Sequence, residues 1–333
     1  MIASPIGDDI DIEGTTFPSA TIKAPSYLKK GDKVALVSPS SYIAREYAEK
    51  ASEVLRRWGL IPVIGPNVGK KAGLNDAGTL EERLSDLHWA INDPDVKAII
   101  CNRGGYSSIQ MVPHIDLSEL SNHPKWFIGF SDITTFHAME VCAGVMSIHG
   151  TMSRFIADGE GNDISSSLLH DLLFGEVPRY TLPAHPLNIP GKATGTLVGG
   201  NICTFFPLVG SSIDFTRRDE GIILFIEEVQ ESFHNLDRIL NMMILTGVID
   251  RCKGVILGQF TDCPRDRDYE SVEQMYTQYL SKYNIPVVCG FPAGHDTPNL
   301  PLVMGAPVTI DVTSSGATIS FGIDGQVKDV QIP

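Results

Sequence analysis

Three side chains with the chemistry of a nucleophilic catalyst lie at the ends of apolar runs of strand length. Ser131 follows the run WFIGF, Glu227 ends the run IILFIE, and His295 ends GFPAGH, just after the run IPVVCG. A serine becomes a good nucleophile when a histidine takes its proton, and a carboxylate can hold that histidine in the required tautomer. The order Ser, Glu, His also occurs in α/β-hydrolases, so we predict a catalytic triad.

Each of the three residues has a structural interpretation when it is taken alone. Ser131 precedes a helical stretch and could be its N-cap, and a lone loop histidine such as His295 is commonly solvated. Glu227 and Glu228 could both be exposed acids at a strand end. Side chains alternate along a strand, so we expect only one of the two acids to face a given site. The combination of three strand-end residues favours catalysis.

Backbone N–H groups that could stabilise an oxyanion lie near the serine. The turn G-x-S-D lacks the second glycine of G-x-S-x-G, but Gly129 supplies a small side chain and the N–H of Asp132 begins a helix. The motif RGGY provides Gly104 and Gly105, where the backbone can approach a ligand closely, and the N–H of Gly105 is the second candidate donor. A tight structural turn and a phosphate-binding nest are the alternative interpretations of RGGY. Because the motif is not G-x-G-x-x-G, it does not favour a dinucleotide site.

The composition excludes several classes of function. The net charge is −14 with no long basic run, which argues against nucleic acids and anionic membrane surfaces as partners. No H-x-x-x-H or C-x-x-C motif is present, so we predict no metal site and no cofactor. The six cysteines are predicted to be reduced, and a secreted protein with disulfides is the weaker alternative. No signal peptide or membrane span is recognisable, and we expect a cytoplasmic protein.

Strand and helix signals alternate along the first half of the chain. The apolar runs KVALVS, IPVIG, VKAIIC and WFIGF are separated by helical patterns, and Thr79 with Glu82 forms a capping box at one helix start. This alternation predicts a parallel sheet in an α/β fold, whose ligand site lies at the carboxyl ends of the strands. The second half contains the strands IILFIE and GVILGQF and ends in a hairpin across SSG.

The length of 333 residues favours two domains, because single cores stop growing at roughly 250–300 residues. We predict an N-terminal arm over residues 1–24 and an N-terminal α/β domain with the candidate nucleophile over 25–160. Four prolines between residues 178 and 190 indicate an extended connection, and we predict a linker over 161–192. The C-terminal domain, with the candidate glutamate and histidine, is then 193–333.

A series of motifs resembles the LD-carboxypeptidase family of serine peptidases, which includes murein tetrapeptide carboxypeptidases and microcin C immunity proteins. The motifs are RGGY, IGFSD, IHG, GTLVGGN, LFIEE, LDRIL, GVILGQF and GFPAGH, in the family's order over roughly residues 30–310. The resemblance implies an N-terminal parallel-sheet domain similar to class I glutamine amidotransferases and a smaller β-rich α/β domain after it. It also implies a homodimer, with Ser131, Glu227 and His295 as the triad and the N–H groups of Gly105 and Asp132 as the oxyanion hole.

The activity that the resemblance implies is hydrolysis of the L,D-peptide bond that links a murein tetrapeptide to its terminal D-alanine, in peptidoglycan recycling. The candidates for contact with this small peptide are Arg103, Gly104, Tyr106, His149 and Thr151. Two alternatives stay open: a peptidase for peptidyl or aminoacyl nucleotides, and a non-catalytic anion-binding or sensor protein on the same scaffold.

The chain departs from the family's pattern in three places. Glu228 replaces the aspartate that is common after the catalytic glutamate, and IHGTM replaces an HGP- or SGP-type turn. The N-terminal arm has no clear counterpart. The shape of the substrate pocket near Thr151 therefore does not follow from the resemblance.

Overall fold

The computed structural model describes residues 22–333, so the predicted arm lies outside the described residues except for its last three positions. The described residues form fourteen strands. The strands are β1 Lys33–Val37, β2 Ile61–Ile64, β3 Val96–Cys101, β4 Trp126–Gly129, β5 Ser147–His149, β6 Glu176–Pro183, β7 Gly191–Asn201, β8 Ile222–Val229, β9 Cys252–Thr261, β10 Val287–Val288, β11 Leu302–Met304, β12 Pro307–Thr313, β13 Gly316–Phe321 and β14 Gln326–Gln331.

The same residues form ten α-helices and three short 3₁₀ helices. The α-helices are α1 Arg45–Arg57, α2 Leu80–Asn92, α3 Leu117–Asn122, α4 Thr134–Cys142, α5 Ser153–Asp158, α6 Ile164–Leu173, α7 Ile202–Phe205, α8 Phe233–Leu245, α9 Val248–Arg251 and α10 Val272–Leu280. The 3₁₀ helices are Ser108–His114, Ser131–Ile133 and Phe206–Leu208. Helix α2 begins with the predicted capping box, because Glu82 N–H donates to Thr79 Oγ1 and Thr79 N–H donates to the Glu82 carboxylate. Across residues 22–333, no helix is long and apolar enough to span a membrane.

The first sheet carries the candidate nucleophile. Its six strands in the described chain have the order β11-β5-β4-β3-β1-β2, and all neighbours are parallel except β11, which is antiparallel to β5. Every residue of β4 is buried, as is all of β3 except Lys97, because parallel strands are covered on both faces. Continuous apolar runs such as VKAIIC and WFIG follow from this burial.

The second sheet carries the candidate acid. Its eight strands among the described residues have the order β10-β9-β8-β7-β12-β13-β6-β14. Strands β7 to β10 are parallel neighbours, while β12 and β13 form the hairpin that the SSG turn predicts. The predicted α/β class is therefore confirmed, and parallel pairs predominate in both sheets.

Two segments connect the halves in ways that the sequence patterns do not indicate. Residues 161–192, predicted as a linker with an extended connection, contain α6 and β6, and β6 pairs with β13 and β14 in the second sheet. Strand β11, from the C-terminal half, pairs with β5 in the first sheet. The domain boundaries at residues 160 and 193 stay a prediction.

The two sheets meet at the ends of β4 and β7. The backbone N–H of Asn201, at the end of β7, donates to Thr134 Oγ1 at the start of α4 with an N···O distance of 3.1 Å. A side chain at Gly200 would place its Cβ 2.5 Å from the same oxygen. This close approach brings the end of the neighbouring strand β8 near the turn that follows β4.

Candidate active site

Ser131, His295 and Glu227 form one continuous chain of hydrogen bonds. Ser131 Oγ lies 2.9 Å from His295 Nε2, and His295 Nδ1 lies 2.7 Å from Glu227 Oε2. In the neutral imidazole, Nδ1–H donates to the carboxylate and Nε2 accepts from the serine hydroxyl. The structure thus brings together, from the two sheets and a loop, the three residues that the sequence analysis selected.

The backbone at Ser131 has an uncommon conformation. Its φ is +64°, in the left-handed region that costs energy for any residue with a Cβ. Ser131 lies between β4 and α4 on a sharp strand-to-helix turn, where a Cβ on Gly129 would approach Ile133 to 2.9 Å. The strained turn exposes the hydroxyl above the carboxyl end of the sheet, as in a nucleophile elbow.

Glu227 is fully buried near the end of β8, where the pairing with β9 shifts register between Ile226 and Glu228. Burial raises the pKa of Glu227, and the hydrogen bond from His295 opposes that rise. Its other oxygen, Oε1, has no hydrogen-bond partner among the described residues. The histidine is therefore the main group that stabilises this carboxylate.

Hydrogen bonds fix the part of the loop that follows His295. Gln259, in β9, accepts from the N–H of Asp296 at 2.9 Å and donates to the carbonyl of Pro298 at 3.0 Å. Gly294 has φ +145°, and a Cβ there would lie 3.1 Å from Glu227 Oε2. The glycine therefore allows the loop to pass directly over the carboxylate.

The electrostatic environment of His295 favours its cation. Burial lowers the pKa of the imidazole, but the hydrogen bond and the negative charge of Glu227 more than compensate, so the pKa is raised above the ordinary value. A proton transferred from Ser131 to this ring would thus be held more firmly than on a solvated histidine.

The two candidate oxyanion donors lie in the wall of the same cavity as the serine. Gly105 and Asp132 line a cavity of about 460 Å³ together with Ser131. Gly105 has φ +126°, and a Cβ at this position would lie 2.1 Å from Ser41 Oγ. No other residue fits there without displacing Ser41.

A second, smaller cavity of about 190 Å³ borders the histidine. Its wall includes His295, Phe130, Thr151 and the partly exposed ring of Phe155. The Ser131–His295 contact thus lies between two cavities of different size.

The remaining substrate-contact candidates have different positions. Tyr106 is 66% exposed at the larger cavity, and Thr151 lines the smaller one. Gly104 packs beneath the serine, since a Cβ there would lie 2.9 Å from that residue's Cβ. Arg103 donates to the carbonyl of Tyr42 at 2.9 Å and therefore braces the loop.

The structure corrects the prediction that His149 lines the cleft. Its ring has no exposed surface and packs against Phe225 and Phe130, with ring centroids 4.9 Å and 5.8 Å away. Burial lowers its pKa well below the ordinary value and keeps the ring neutral. A substrate in either cavity does not reach His149.

Sequence reasoning did not single out Gln259 and Asn299. The side-chain oxygen of Asn299 accepts from the N–H of Gly294 at 3.1 Å, so both amides position the loop of the histidine. Gln259 lies within the motif GVILGQF, so the motif could have identified it as a residue of the site. Asn299 lies in none of the quoted motifs, and nothing in the neighbouring sequence indicates its role.

Among residues 22–333, no group of three or more His, Cys, Asp or Glu side chains is arranged to hold a metal ion.

Family models match both halves of the chain. Residues 34–150 match the LD-carboxypeptidase N-terminal domain, and residues 194–310 match the LD-carboxypeptidase C-terminal domain. Together the two models cover more than half of the chain, and the candidate serine falls in the first match while the glutamate and histidine fall in the second.

Curated relatives are similar over nearly the whole chain. A probable murein peptide carboxypeptidase of Bacillus subtilis is 32% identical over 311 residues, which cover 91% of this chain and 97% of the relative. The murein tetrapeptide carboxypeptidase of Pseudomonas aeruginosa is 33% identical over 280 residues, covering 80% and 89%. The microcin C7 self-immunity protein MccF of Escherichia coli is 27% identical over 330 residues, covering 88% and 94%.

Solved structures share the fold. The crystal structure of a muramoyltetrapeptide carboxypeptidase from Oxalobacter formigenes superposes with a TM-score of 0.78 at 24% identity, covering 88% of this chain and all of that one. A structure of MccF in complex with glutamyl sulfamoyl guanosine gives a TM-score of 0.76 at 24% identity, with coverage of 89% and 98%.

Proposed function

From the premise that this chain belongs to the LD-carboxypeptidase family, we propose that it is a serine carboxypeptidase that releases the terminal D-alanine of murein tetrapeptides. The family and the names of the relatives identify a serine peptidase. The main observation in favour of these three residues as the catalytic triad is the chain of hydrogen bonds from Ser131 through His295 to Glu227.

The proposed reaction begins with His295. Nε2 takes the proton of Ser131 as Oγ attacks the carbonyl carbon of the L,D-peptide bond, and the carbonyl oxygen becomes an oxyanion. The N–H groups of Gly105 and Asp132 bind this oxyanion, each donor typically worth ~3 kcal/mol in the transition state. Glu227 keeps the proton on Nδ1 and stabilises the imidazolium.

The second half of the reaction returns the serine to its free form. His295 protonates the departing amine, the C–N bond breaks, and an acyl-enzyme on Ser131 remains. Water then attacks the ester with His295 as the base, and the serine leaves with the proton. The products are the shortened peptide, with a new carboxylate, and D-alanine.

The sizes and positions of the two cavities favour a small leaving group. The departing amine receives its proton from His295, so it leaves on the side of the smaller cavity, whose volume of about 190 Å³ suits one small residue. The acyl portion stays with Ser131 on the side of the larger cavity. A relative with the printed name murein tetrapeptide carboxypeptidase supports the same substrate.

The setting that we propose is peptidoglycan recycling in the cytoplasm, by a homodimer. Size-exclusion chromatography with light scattering tests the dimer, and fractionation of the producing cells tests the location. A monomeric mass would contradict the homodimer, and recovery of the protein outside the cytoplasm would contradict the location. Neither result would contradict the proposed reaction.

The activity itself is tested by release of D-alanine. The purified protein is incubated with a tetrapeptide that has L-lysine or meso-diaminopimelate at the third position, and D-alanine is measured with a D-amino-acid oxidase. Ser131→Ala should lower the rate by at least about 10³-fold, whereas Ser281→Ala, at an exposed position beyond α10, should leave it unchanged. No release by the unmodified protein, or full activity of Ser131→Ala, would refute the proposal.

A second candidate function comes from one aromatic side chain. Three aromatic residues, Phe155, Tyr180 and Phe233, were considered as partners that stack on a base. Tyr180 and Phe233 are buried, but Phe155 is 38% exposed and lines the smaller cavity. A nucleobase could stack on Phe155 if the leaving group were a nucleotide. MccF, a relative, is solved with glutamyl sulfamoyl guanosine.

Turnover of an aminoacyl sulfamoyl adenosine, compared with turnover of the tetrapeptide by the same preparation, decides between these functions. A preference for the nucleotide that is lost in Phe155→Leu would establish the second candidate. A non-catalytic sensor protein would turn over neither compound, and its Ser131 would not react with a serine-directed phosphonate probe.

A further inference from the structure

Arg83 is a buried cation on α2 to which the proposed reaction assigns no role. It is 3% exposed, and α2 packs against β1 and β3 of the first sheet. An arginine keeps its charge when it is buried, so its N–H groups need hydrogen bonds to the protein in place of water. Every hydrogen-bond partner of the guanidinium within the described chain is uncharged. The cation is therefore stabilised by the backbone and by polar side chains that it holds in place.

The guanidinium joins the loops that follow β1 and β3. Nη1 lies 3.2 Å from the carbonyl oxygen of Pro39, after β1, and 3.1 Å from that of Ser107, after β3. The same nitrogen lies 3.0 Å from Ser107 Oγ, and Nη2 donates to Gln110 Oε1 at 3.0 Å. Strands β1 and β3 are parallel neighbours, so both loops leave the same edge of the sheet. One rigid planar group thus sets the distance between them.

Ser107 has a backbone conformation that needs such support. It is fully buried and its φ is +102°, in the left-handed region that costs energy for a residue with a Cβ. A conformation of this kind persists only where the surrounding structure holds it. Arg83 binds both the carbonyl and the hydroxyl of Ser107, two residues after Gly105 and its candidate oxyanion donor.

The loop after β1 fixes the peptide unit that contains this donor. The N–H of Ser41 donates to the carbonyl of Gly104 at 3.3 Å, and Ser41 Oγ accepts from the N–H of Tyr106 at 3.1 Å. The carbonyl of Gly104 and the N–H of Gly105 belong to one planar trans peptide unit and point in opposite directions. The bond from Ser41 therefore directs the N–H of Gly105 away from this loop.

Asp132 connects the same loops to the second candidate donor, which is its own N–H. Its Oδ2 accepts from the hydroxyl of Ser40 and from the N–H of Ser108 at 3.0 Å, and its carbonyl accepts from Ser108 Oγ at 2.8 Å. Ser40 and Ser108 are the chain neighbours of the two residues whose carbonyls Arg83 binds. Both candidate donors thus belong to one network of hydrogen bonds, and Arg83 holds its two loops together.

We propose that Arg83 is a positioning residue for the oxyanion hole: it fixes the two loops that orient the N–H groups of Gly105 and Asp132. The inference goes beyond the proposed function but rests on its serine chemistry. Arg83 does not line the cavity that contains Ser131, so it acts through the loops and not on the substrate. Oxyanion donors stabilise the transition state because they are oriented in advance. Loss of Arg83 should therefore lower kcat and leave binding of the substrate unchanged.

The first test compares the kinetics of Arg83→Met and Lys125→Met. In Arg83→Met we expect kcat for D-alanine release to fall by about 10²-fold while KM stays within about twofold. Lys125 is the matched control, since it is a second buried cation and donates to the carbonyls of Ala90, at 2.9 Å, and Asp93. It precedes β4, at the opposite end of the strands from the serine.

Lys125→Met should lower the free energy of unfolding, because it leaves buried carbonyls without a donor, and should keep the kcat of the unmodified protein. An unchanged kcat in Arg83→Met, or an equal fall of kcat in the two variants, would overturn the proposal.

A tripeptide aldehyde, with L-lysinal in place of the third residue, separates positioning from a general distortion of the site. Ser131 Oγ adds to the aldehyde carbon, His295 takes the hydroxyl proton, and the aldehyde oxygen becomes an oxyanion. The corresponding tripeptide alcohol binds without forming this adduct. We expect Arg83→Met to weaken inhibition by the aldehyde by about 10²-fold and to leave inhibition by the alcohol unchanged. Equal losses for the two compounds would contradict the proposal.

Arg83→Lys decides the question if Arg83→Met does not fold. Lysine keeps the charge but lacks the planar fork that binds two loops at once. We expect kcat and the affinity for the aldehyde to fall together by about tenfold in this variant. An unchanged affinity for the aldehyde would contradict the proposal.

Failure of the proposed function gives a different result from failure of this inference. If the unmodified protein cleaves no tetrapeptide, the rate at which a fluorophosphonate labels Ser131 decides the inference. Ser131 Oγ displaces fluoride from phosphorus, His295 takes the proton, and negative charge develops on the phosphoryl oxygen. Labelling that is at least about tenfold slower in Arg83→Met and unchanged in Lys125→Met supports the positioning role, and equal rates contradict it. A protein that reacts with neither compound contradicts both proposals.

Discussion

Replacing Glu227 by Gln removes the negative charge beneath His295 while nearly preserving the size of the side chain. Glu227 is fully buried and its Oε2 lies 2.7 Å from His295 Nδ1. With charge centres about 4 Å apart and an effective dielectric constant near 20, the carboxylate stabilises the imidazolium by about 4 kcal/mol. Since ~1.4 kcal/mol corresponds to a factor of ten, we expect kcat to fall by about 10³-fold.

The same substitution should change the pH profile in a defined direction. His295 must be neutral to accept the serine proton, so kcat/KM falls as the pH drops through its pKa. Glu227 raises the pKa of His295 above the ordinary value. The acid limb of the pH profile, where kcat/KM falls on acidification, therefore lies at a higher pH in the unmodified protein than the ordinary pKa of histidine would give. In Glu227→Gln the lowering of the pKa of His295 by burial is opposed only by the charge of Glu228, and the acid limb should move to lower pH.

The assay is the pH dependence of D-alanine release, with Glu140→Gln as the control. Glu140 is a buried glutamate on α4 whose pKa is raised well above the ordinary value by burial, so its replacement removes little charge. An acid limb that stays in place or moves upward in Glu227→Gln, or an equal shift in Glu140→Gln, would refute the electrostatic argument.

Three further substitutions test the positions of supporting residues. Gly105→Ala should lower kcat by at least about 10²-fold in steady-state kinetics. A Cβ there would lie 2.1 Å from Ser41 Oγ and would displace the loop whose N–H group is the candidate oxyanion donor. An unchanged kcat would exclude this loop from catalysis. Gln259→Ala should lower kcat by about tenfold with little change in KM, since its amide bonds two backbone groups of the histidine loop, at Asp296 and Pro298. A rise in KM alone would contradict that role. Tyr180→Phe should lower the free energy of unfolding in urea by about 1 kcal/mol, because the buried hydroxyl donates to the carbonyl of Pro301 at 2.8 Å, and an unchanged midpoint would contradict it.

Local sequence signals predicted the parts of the fold that depend on local interactions. The apolar runs that became β1, β3, β4, β8 and β9 and the capping box at Thr79 were visible because burial on both faces and helix capping constrain neighbouring residues. Ser131, Glu227 and His295 could be selected because each lies at or shortly after the carboxyl end of a strand and within one of the family's motifs, although the strands belong to two different sheets.

The features that were missed depend on contacts between distant residues. Strand β11 is only three residues long, and nothing in LVM indicates that it returns to β5 of the first sheet. His149 looked accessible because it follows an apparent strand, but its burial against Phe225 comes from the other sheet. The alternation of side chains along a strand predicted that only one of Glu227 and Glu228 faces the site, and this was wrong. Glu227 bonds His295 and Glu228 lines the cavity beside the serine, at a point where the pairing of β8 with β9 shifts register.

The most direct measurement is covalent labelling of Ser131 by a fluorophosphonate, followed by intact-mass and peptide mapping. We predict one adduct per chain, located on Ser131, with a rate that falls by at least about 10²-fold in His295→Ala, because the alcohol then has no base within hydrogen-bond reach. Labelling at another residue, or an equal rate in His295→Ala, would show that these side chains do not act together.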